Sequence, residues 1–210
     1  MPTPDRTSVA EIVQAGRDIL ESEGVARLTM QAVADKVGVR APSLYKRVRN
    51  RDDLIRLISE SAVRDLGERL AAVGTSGDPH QRLAEMAHAV RAFAHAHPEA
   101  YRLIFAPGPD AAKPSLDTLT EAVRPVMRVV EDLAGPEDTL EAARTVTAWV
   151  NGFISMELAG AFNLGGDIDR AFEFGIATLA NALARARDRA PDPRNAARRR
   201  TRARSIPEPR

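Results

Sequence analysis

Apolar residues recur at intervals of three and four along most of the chain, the spacing of one face of an α-helix. Between residues 28 and 54 this repeat is short and interrupted. An apolar face over residues 33–37 stops at Gly38, where a left-handed residue would end a helix. Leu44 and Val48 then form a second short apolar face. The pattern predicts two short helices joined by a tight turn.

Such a pair is typical of a helix-turn-helix, in which one helix supports and the second presents its outer face to a major groove. The second helix is expected to begin near Ala41, with Pro42 in its first turn, where the missing N–H costs nothing. Pro42, Ser43, Tyr45 and Lys46 would then point away from the core.

The charge of this stretch supports the same interpretation. Residues 36–51 include six basic side chains and no acidic one, although the whole chain carries a net charge of only +1. A local excess of this kind is typical of a surface that meets phosphate groups. The alternative is a basic surface that only meets solvent.

The remaining apolar repeats predict further helices of greater length. The predicted helices outside the motif are 8–23, 50–73, 79–96, 98–105, 115–133, 136–163 and 167–187. Pro125 should kink or divide the helix that contains it. No segment alternates strictly, so no strand is predicted. We expect an all-α protein of about nine helices, with an N-terminal three-helix helix-turn-helix domain joined to a C-terminal helical bundle.

Three segments follow from these boundaries: the helix-turn-helix domain over 1–54, the helical bundle over 55–190, and a tail over 191–210. The tail contains seven arginines, four prolines and two acidic residues, a composition that predicts disorder. It could add weak, salt-sensitive affinity for DNA or serve only as a solubilising appendage.

Composition and hydropathy indicate in which cellular compartment the protein is expected. Hydrophobic residues make up 44% of 210 residues, enough for a substantial core, and the absence of cysteine excludes disulfides and cysteine-based zinc sites. The N-terminus has no long apolar segment typical of a secretion signal. The most apolar stretch, residues 146–162, is interrupted by Asn151 and Glu157, which favours a buried helix over a membrane span. We expect a soluble, cytoplasmic protein without a membrane partner.

The N-terminal region resembles the DNA-binding domain of the TetR family of bacterial transcriptional regulators. The matching stretches are Ile19-Leu20, Glu23-Gly24, Leu28-Thr29-Met30, Val33-Ala34, Val37-Gly38-Val39, Ser43-Leu44-Tyr45 and Asn50-Arg51-Asp52-Asp53-Leu54. The resemblance implies a homodimer that binds a palindromic operator in double-stranded DNA, usually as a repressor that a ligand releases. The chain departs from the family pattern in two ways. The family usually has an aromatic at the position of Val48, and often at that of Arg47, and its usual serine N-cap is replaced by Arg40.

Eight residues are therefore expected at the DNA. Ala41, Ser43, Tyr45 and Lys46 would meet base edges or the adjoining backbone. The residues expected mainly at phosphates are Thr29, Arg40, Arg47 and Arg51, and Arg40 can also reach a guanine. Arg51 would lie in the first turn of its helix, whose free N–H groups can also hold a phosphate.

The C-terminal half resembles, more loosely, the ligand-binding domain called WHG, which implies that residues 55–190 form a ligand-binding and dimerisation domain. The supporting stretches are His97 to Phe105 and Trp149 to Phe153, with Asn151 in place of the histidine that names the domain. An effector pocket would be mostly apolar with a few polar groups. The candidate lining residues, each of which could instead be simple core, are Met86, Val90, Phe93, Tyr101, Phe105, Met127, Trp149, Asn151, Phe153 and Met156.

The last two predicted helices, the eighth and ninth, have apolar stripes too broad for each to cover the other, and a Gly165-Gly166 turn joins them. Two copies could pair through them as a four-helix interface, or the helices could only cap their own domain. His88 and His95 share a face, but His97 does not, which argues against a metal site. No cofactor is expected.

Sequence motifs give no sign of an enzyme: we find no G-x-S-x-G, no H-E-x-x-H and no glycine-rich phosphate loop. The favoured hypothesis is a dimeric regulator that binds DNA and responds to a small apolar effector. The alternatives are a DNA-associated helical dimer without an effector, and a helical enzyme or carrier that does not use its DNA-binding domain.

Overall fold

The computed structural model describes residues 8–105 and 110–189, and within these ranges it consists of α-helices and two short 3-10 turns, without strands. The helices are α1 (Val9–Glu23), α2 (Met30–Val37), α3 (Ala41–Leu44), α4 (Arg51–Ala72), α5 (Pro79–Ala96), α6 (Pro98–Phe105), α7 (Leu116–Ala134), α8 (Thr139–Leu158) and α9 (Ile168–Arg189). The 3-10 turns are Val25–Arg27 and Asp110–Ala112. The predicted all-α architecture is confirmed. The predicted tail over 191–210 lies outside the described residues.

Capping residues set the starts of the first two helices. The Ser8 hydroxyl accepts a hydrogen bond from the Glu11 N–H at 3.1 Å, and the Glu11 carboxylate accepts one from the Ser8 N–H at 2.7 Å. The Thr29 hydroxyl accepts from the Ala32 N–H at 3.1 Å and so begins α2. Each bond satisfies a backbone N–H that has no partner within its helix.

The turn between α2 and α3 also follows the sequence signals. Gly38 takes a left-handed conformation with φ of 78°, and its N–H donates to the carbonyls at the end of α2. The helix α3 is a single turn, but the Val48 N–H still donates to the Leu44 carbonyl at 2.9 Å. Both side chains are fully buried, so the predicted inner face of this segment is confirmed.

The helix α4 packs against both halves of the chain. A Cβ added at Gly16 of α1 would lie 2.5 Å from Cδ1 of Ile58 on α4. A Cβ added at Gly67 of α4 would lie 2.9 Å from Cα of Ala122 on α7. The contact at Gly16 involves only the end of a flexible side chain, whereas the contact at Gly67 involves backbone and requires glycine at that crossing. Buried side chains follow α4 between them, so the helix-turn-helix and the bundle share one continuous core.

Pro125 was predicted to kink or divide the helix that contains it. The helix α7 runs through Pro125 without a break, so of these two outcomes the division does not occur. Pro125 removes only its own N–H bond, while Val129 and Val130 beyond it are fully buried and hold the second half of the helix.

Among the helices described, none is long and apolar enough to cross a bilayer.

The helix α8 is shorter than the predicted 136–163. Gly160 ends it in a left-handed conformation with φ of 63°, and the Ala161 N–H donates to the Met156 carbonyl at 2.9 Å. Residues 159–167 then connect α8 to α9, so the predicted Gly165-Gly166 turn is only the last part of a longer loop.

The helices α8 and α9 run antiparallel, as expected. The Trp149 ring of α8 lies over Gly175 of α9, where an added Cβ would come 2.0 Å from the indole. Phe153, one turn further along α8, meets Phe172, which lies earlier in α9, with ring centroids 5.2 Å apart. Aromatic packing of this kind accounts for the contact between the two helices.

Candidate functional site

The recognition segment, residues 40–48, exposes the side chains that the sequence predicted to face outward. Pro42, Ser43, Tyr45 and Lys46 are exposed, with Tyr45 at 54% of its full accessible surface. An exposed tyrosine at this level, next to buried Leu44, indicates a surface that is not covered by the chain itself. Ala41 and Arg47 are partly buried.

Basic side chains around this segment differ in how far their charge is compensated. Lys36 lies 3.4 Å from an Asp18 carboxylate oxygen, and Arg49 lies 3.8 Å from one of Asp53. Arg40 and Lys46 are exposed and make no ion pair with any part of the chain that the structure describes. The positive charge available to a partner is therefore concentrated on the recognition segment, on a smaller area than the sequence suggested.

Arg51 occupies the predicted first turn of α4 but makes internal contacts there. Its Nε donates to the Leu28 carbonyl at 2.8 Å, and its Nη2 donates to the Val25 carbonyl at 2.7 Å. The side chain thus fastens the start of α4 to the 3-10 turn that precedes α2. Sequence reasoning missed this role, because backbone carbonyls from a distant turn leave no sequence signal.

The start of α4 is also fixed by Asn50, whose side-chain oxygen accepts from the Asp53 N–H at 2.9 Å. The Asp53 carboxylate accepts a hydrogen bond from the Arg49 N–H at 2.9 Å, one residue before the N-cap Asn50. This backbone hydrogen bond, followed by the one from the Arg56 guanidinium, lowers the pKa of the Asp53 carboxyl. The chain leaving the recognition segment is thereby held rigidly against α4.

An apolar cavity of about 170 Å³ lies in the bundle among five helices, α4 to α8. Its lining residues are Val63, Leu66, Leu70, Leu83, Met86, Ala87, Val90, Tyr101, Ile104, Phe105, Leu119, Ala122, Val123, Val126, Val146, Thr147, Val150 and Asn151. Of these, only Tyr101, Thr147 and Asn151 bring polar side-chain atoms, and none of the lining residues described is charged. The cavity can receive an apolar molecule and orient it through few hydrogen bonds.

Half of the predicted ligand-binding residues line this cavity. Those that do are Met86, Val90, Tyr101, Phe105 and Asn151. Phe93 is fully buried but packs on His97 and Arg69, and Met127 is part of the core beside the cavity. Trp149 and Phe153 belong to the aromatic cluster with Phe172. Met156 is 48% exposed on the outer side of α8.

The remaining lining residues were missed because the sequence did not show which helices surround the cavity. Leu66 and Leu70 lie in the helix predicted over 50–73, which contributed no candidate to the pocket. Four residues of α7, Leu119, Ala122, Val123 and Val126, line the cavity, whereas Met127, the candidate predicted from this helix, does not. The available signal was the apolar spacing of 119, 122, 123 and 126 on one face of α7.

Tyr101 and Asn151 join the apolar cavity to a second, more polar one. The Tyr101 hydroxyl donates to Oδ1 of Asn151 at 3.1 Å. Both residues and Phe105 also line an outer chamber of about 270 Å³, together with Arg102, Ser155, Leu158 and Ala159. Burial raises the pKa of the Tyr101 hydroxyl far above its ordinary value, so the group stays a neutral donor.

A pair of hydrogen bonds connects the wall of the cavity to the N-terminal domain. The Glu21 carboxylate of α1 accepts from the Glu99 N–H at 3.1 Å and from the Ala100 N–H at 2.9 Å. These N–H groups belong to the first turn of α6, which carries Tyr101 and Phe105. A carboxylate at a helix N-terminus is stabilised by the free N–H groups and by the helix dipole.

The three histidines considered as metal ligands have separate surroundings. His88 Nε2 lies 2.6 Å from a Glu173 oxygen, and His95 Nε2 lies 3.2 Å from one of Glu157. His97 packs its ring on Phe93, with centroids 5.2 Å apart. Glu157 also receives two hydrogen bonds from Arg91, which lower the pKa of its carboxyl.

Two family models match the chain. The model described as "Bacterial regulatory proteins, tetR family" matches residues 12–58, and the model described as "Tetracyclin repressor-like, C-terminal domain" matches residues 83–179. The chain belongs to the TetR family. The second match includes both stretches on which the resemblance of the C-terminal half rests. As a member of this family, the chain is a DNA-binding transcriptional regulator rather than an enzyme.

Individual relatives agree with this assignment over most of their length. An uncharacterized HTH-type transcriptional regulator of Mycobacterium tuberculosis is 28% identical over 87% of this chain and 84% of its own. The tetracycline repressor protein class A from transposon 1721 of Escherichia coli is 26% identical over 84% of this chain and 90% of its own.

The fold also matches solved structures of the family. A TetR variant from Acinetobacter baumannii, crystallised in complex with minocycline, superposes with a TM-score of 0.66 at 20% identity. The match covers 86% of this chain and 98% of that protein. This likeness establishes the arrangement of helices that the two proteins share.

Proposed function

We propose that this regulator is a dimeric repressor that binds a palindromic operator and releases it when a small, mostly apolar effector enters the cavity. The observation that carries the proposal is the recognition segment. Its Leu44 and Val48 are fully buried, while Ser43, Tyr45 and Lys46 face outward beside the unpaired charges of Arg40 and Lys46. A rigid, cationic outer face of this size fits a major groove.

On this proposal the predicted DNA-binding residues divide into two groups. Ala41, Ser43, Tyr45 and Lys46 meet base edges or the adjoining backbone, and Thr29, Arg40 and Arg47 meet phosphates. Arg51 stabilises the segment through its two hydrogen bonds to backbone carbonyls. A phosphate at this position would bind a guanidinium that already donates these two hydrogen bonds.

Dimerisation through α8 and α9 is supported by the outer faces of these helices. The exposed stripe of α8 consists of the small residues Ala148, Gly152, Ser155 and Ala159. Phe174 of α9 is 73% exposed, and Met156 of α8 is 48% exposed. Small residues permit two helices to approach closely, and exposed apolar side chains of this size favour burial in an interface. A two-fold dimer would present two recognition segments to two half-sites.

A response to an effector is supported by the two connections between the cavity and the DNA-binding domain. The helix α4 begins beside the recognition segment and lines the cavity with Val63, Leu66 and Leu70. The helix α6 lines the cavity and is held by Glu21 of α1. An effector that prefers a shifted position of α4 or α6 would change the distance between the two recognition segments. The relatives named a tetracycline repressor and crystallised with minocycline support a small-molecule response.

Selection of bound duplexes from a random pool tests the proposal directly. The expected winners contain an inverted repeat whose half-sites lie about one helical turn apart, or a multiple of it. Binding should weaken steeply with salt, since phosphate contacts release counterions. Selection of no sequence, or of a motif without two-fold symmetry, would contradict the proposal.

A further inference from the structure

The cavity and the outer chamber differ in chemistry, and the side chains of Tyr101 and Asn151 lie where they meet. The walls of the cavity come from aliphatic and aromatic side chains of α4 to α8. The outer chamber is lined by polar as well as apolar groups, including Ser155 and Arg102. A molecule that enters both would place an apolar body inside and a polar group at the junction.

The size of the cavity limits the apolar body. Its volume is about 170 Å³. An apolar cavity of roughly 150 Å³ in another protein stays dry and binds benzene. The inner chamber therefore suits a body of about six to eight carbon atoms by the same comparison.

The Asn151 side chain brings a hydrogen-bond donor to the junction that the described residues leave unused. The Tyr101 hydroxyl donates a hydrogen bond to Oδ1 of Asn151, and this bond fixes the orientation of the amide. The amide nitrogen of Asn151 makes no hydrogen bond within the described ranges of the chain. An amide nitrogen can donate two hydrogen bonds and accepts none, so it selects an acceptor atom on a ligand.

The charges near the junction argue against an anionic ligand. Arg102 lines the outer chamber, but its guanidinium is already paired with Glu99. Transfer of an unpaired carboxylate into apolar surroundings is costly, whereas a neutral oxygen needs only one donor.

We propose that the effector is an uncharged molecule with an apolar body of about six to eight carbons and one oxygen that accepts a hydrogen bond from the Asn151 amide. Tyr101 acts as a positioning residue that orients this amide. The inference rests on the proposed function in that it names the class of effector for the same cavity.

Binding of three probe compounds to the full-length protein without DNA tests the class. Acetophenone carries a carbonyl oxygen, ethylbenzene has a CH₂ in its place, and benzoate carries a negative charge. Dissociation constants can be measured by NMR titration, following the Asn151 side-chain amide and the methyl groups of the cavity. The informative quantity is the ratio of the affinities for acetophenone and ethylbenzene. A variant that only changes the packing of the cavity alters both affinities and leaves this ratio unchanged.

Two substitutions of Asn151 separate the donor from the packing. Asn151→Asp keeps an acceptor for the Tyr101 hydroxyl but replaces the donor with a carboxylate oxygen, and Asn151→Leu removes both. We expect the relative affinity for acetophenone to fall about fivefold or more in each variant, as for loss of one hydrogen bond. Thr120→Val is the matched control, since it removes a polar group from the exposed surface of α7, outside both chambers, and its relative affinity should remain unchanged.

Tyr101→Phe tests the positioning role: relative affinity for acetophenone should fall less than in Asn151→Asp, while the Asn151 amide resonance loses its fixed environment. The proposal is overturned if neither acetophenone nor ethylbenzene binds, if benzoate binds more tightly than acetophenone, or if the Asn151 variants keep the wild-type ratio. These readouts need no operator. Failure to select a palindrome would therefore count against the repressor and leave the ligand result standing.

Discussion

Lys46 differs from most basic side chains around it in having an exposed and uncompensated charge. Lys36 and Arg49 each lie near a carboxylate, and Arg51 donates to backbone carbonyls. Lys46 lies between Tyr45 and Arg47, and its ammonium pairs with none of the described residues. On the proposed function it is the side chain whose removal should affect DNA binding with the least effect on the fold.

We expect Lys46→Ala to weaken operator binding about five- to tenfold at fixed salt and to reduce the slope of log affinity against log salt by about one. The measurement is a fluorescence-anisotropy titration at several salt concentrations. Arg128→Ala, a change of equal charge on the exposed surface of α7, is the control and should leave the slope unchanged. Normal affinity of Lys46→Ala with an unchanged melting temperature would contradict the proposed DNA-facing surface.

The Glu157 carboxylate contributes stability that depends on pH. It accepts two hydrogen bonds from Arg91, at 2.9 and 2.5 Å, and lies 3.2 Å from His95. The Arg91 bonds lower the pKa of Glu157 in the folded chain. Because the folded pKa is depressed, this contribution is complete above the unfolded glutamate pKa of about 4.3 and is lost as the pH falls through the lower, folded value.

Glu157→Gln should therefore lower the free energy of unfolding by about 2 kcal/mol at neutral pH, the usual effect of losing hydrogen bonds to a charged group. The difference from wild type should shrink as the pH falls below about 4. Urea unfolding at a series of pH values measures it. A difference that stays constant down to pH 3 would exclude the carboxylate as its source.

The contact between α4 and α7 depends on glycine. A Cβ at Gly67 would lie 2.9 Å from Cα and 3.0 Å from Cβ of Ala122, and backbone at that distance cannot yield without moving a helix. Both helices also line the cavity, with Leu66 and Val126 among their contributions. A shift of one helix against the other would therefore change the shape of the cavity.

Whether Gly67→Ala raises or lowers the free energy of unfolding tests this close contact between α4 and α7. In an unconstrained helix interior, glycine to alanine stabilises by up to about 1 kcal/mol. Here we expect destabilisation of about 1–3 kcal/mol, because overpacking outweighs helix propensity. Thermal and urea unfolding measure the change. A raised melting temperature would show that α4 and α7 can separate without cost.

The bonds between Glu21 and the start of α6 connect two helices that are distant in sequence. Glu21→Ala should destabilise the chain by about 1–2 kcal/mol, as for loss of a helix cap. It should also speed hydrogen exchange of the Glu99 and Ala100 amides. Glu23→Ala on the same helix is the control, since Glu23 is exposed and pairs with Arg27. Equal exchange rates in the two variants would contradict a capping role for Glu21.

The whole molecule leaves an apolar surface uncovered on its last two helices. Gly152 lies in the exposed stripe of α8, and a Cβ there would meet no atom of the described residues within 4 Å. Neighbouring Phe174 and Met156 are exposed as well. Within one copy of the chain, this surface has no partner among the described helices, which is the reason for proposing a second copy.

Gly152→Arg should convert the proposed dimer to a monomer while leaving each chain folded, because the new side chain meets only solvent within its own chain. Sedimentation velocity measures the association state, and binding to the selected palindrome should weaken at least tenfold, as expected when two half-sites are no longer bound together. Ala92→Arg, on the exposed side of α5, is the control and should remain dimeric. A variant Gly152→Arg that still sediments as a dimer would place the interface elsewhere.

Local signals in the sequence were enough for the helices and for the outer face of the recognition segment. Ser8, Thr29 and Gly38 act on neighbours within a few residues, so their effect on helix ends can be read from spacing alone. The burial of Leu44 and Val48 follows from helical periodicity in the same way. The long helix predicted over 136–163 was wrong at its ends, because Gly160 stops α8 before the apolar pattern does.

The cavity and the contacts of Arg51 were decided only by tertiary packing. Which apolar side chains face a shared space depends on how five helices cross, and Gly67 against Ala122 sets one such crossing through a contact between residues far apart in sequence. Trp149 and Phe153 are as apolar as the residues that line the cavity. They pack in the aromatic cluster with Phe172 instead, because α9 approaches α8 closely at Gly175. Periodicity determines which side of a helix is apolar, whereas the neighbour that meets that side is chosen by the close fit of the whole bundle.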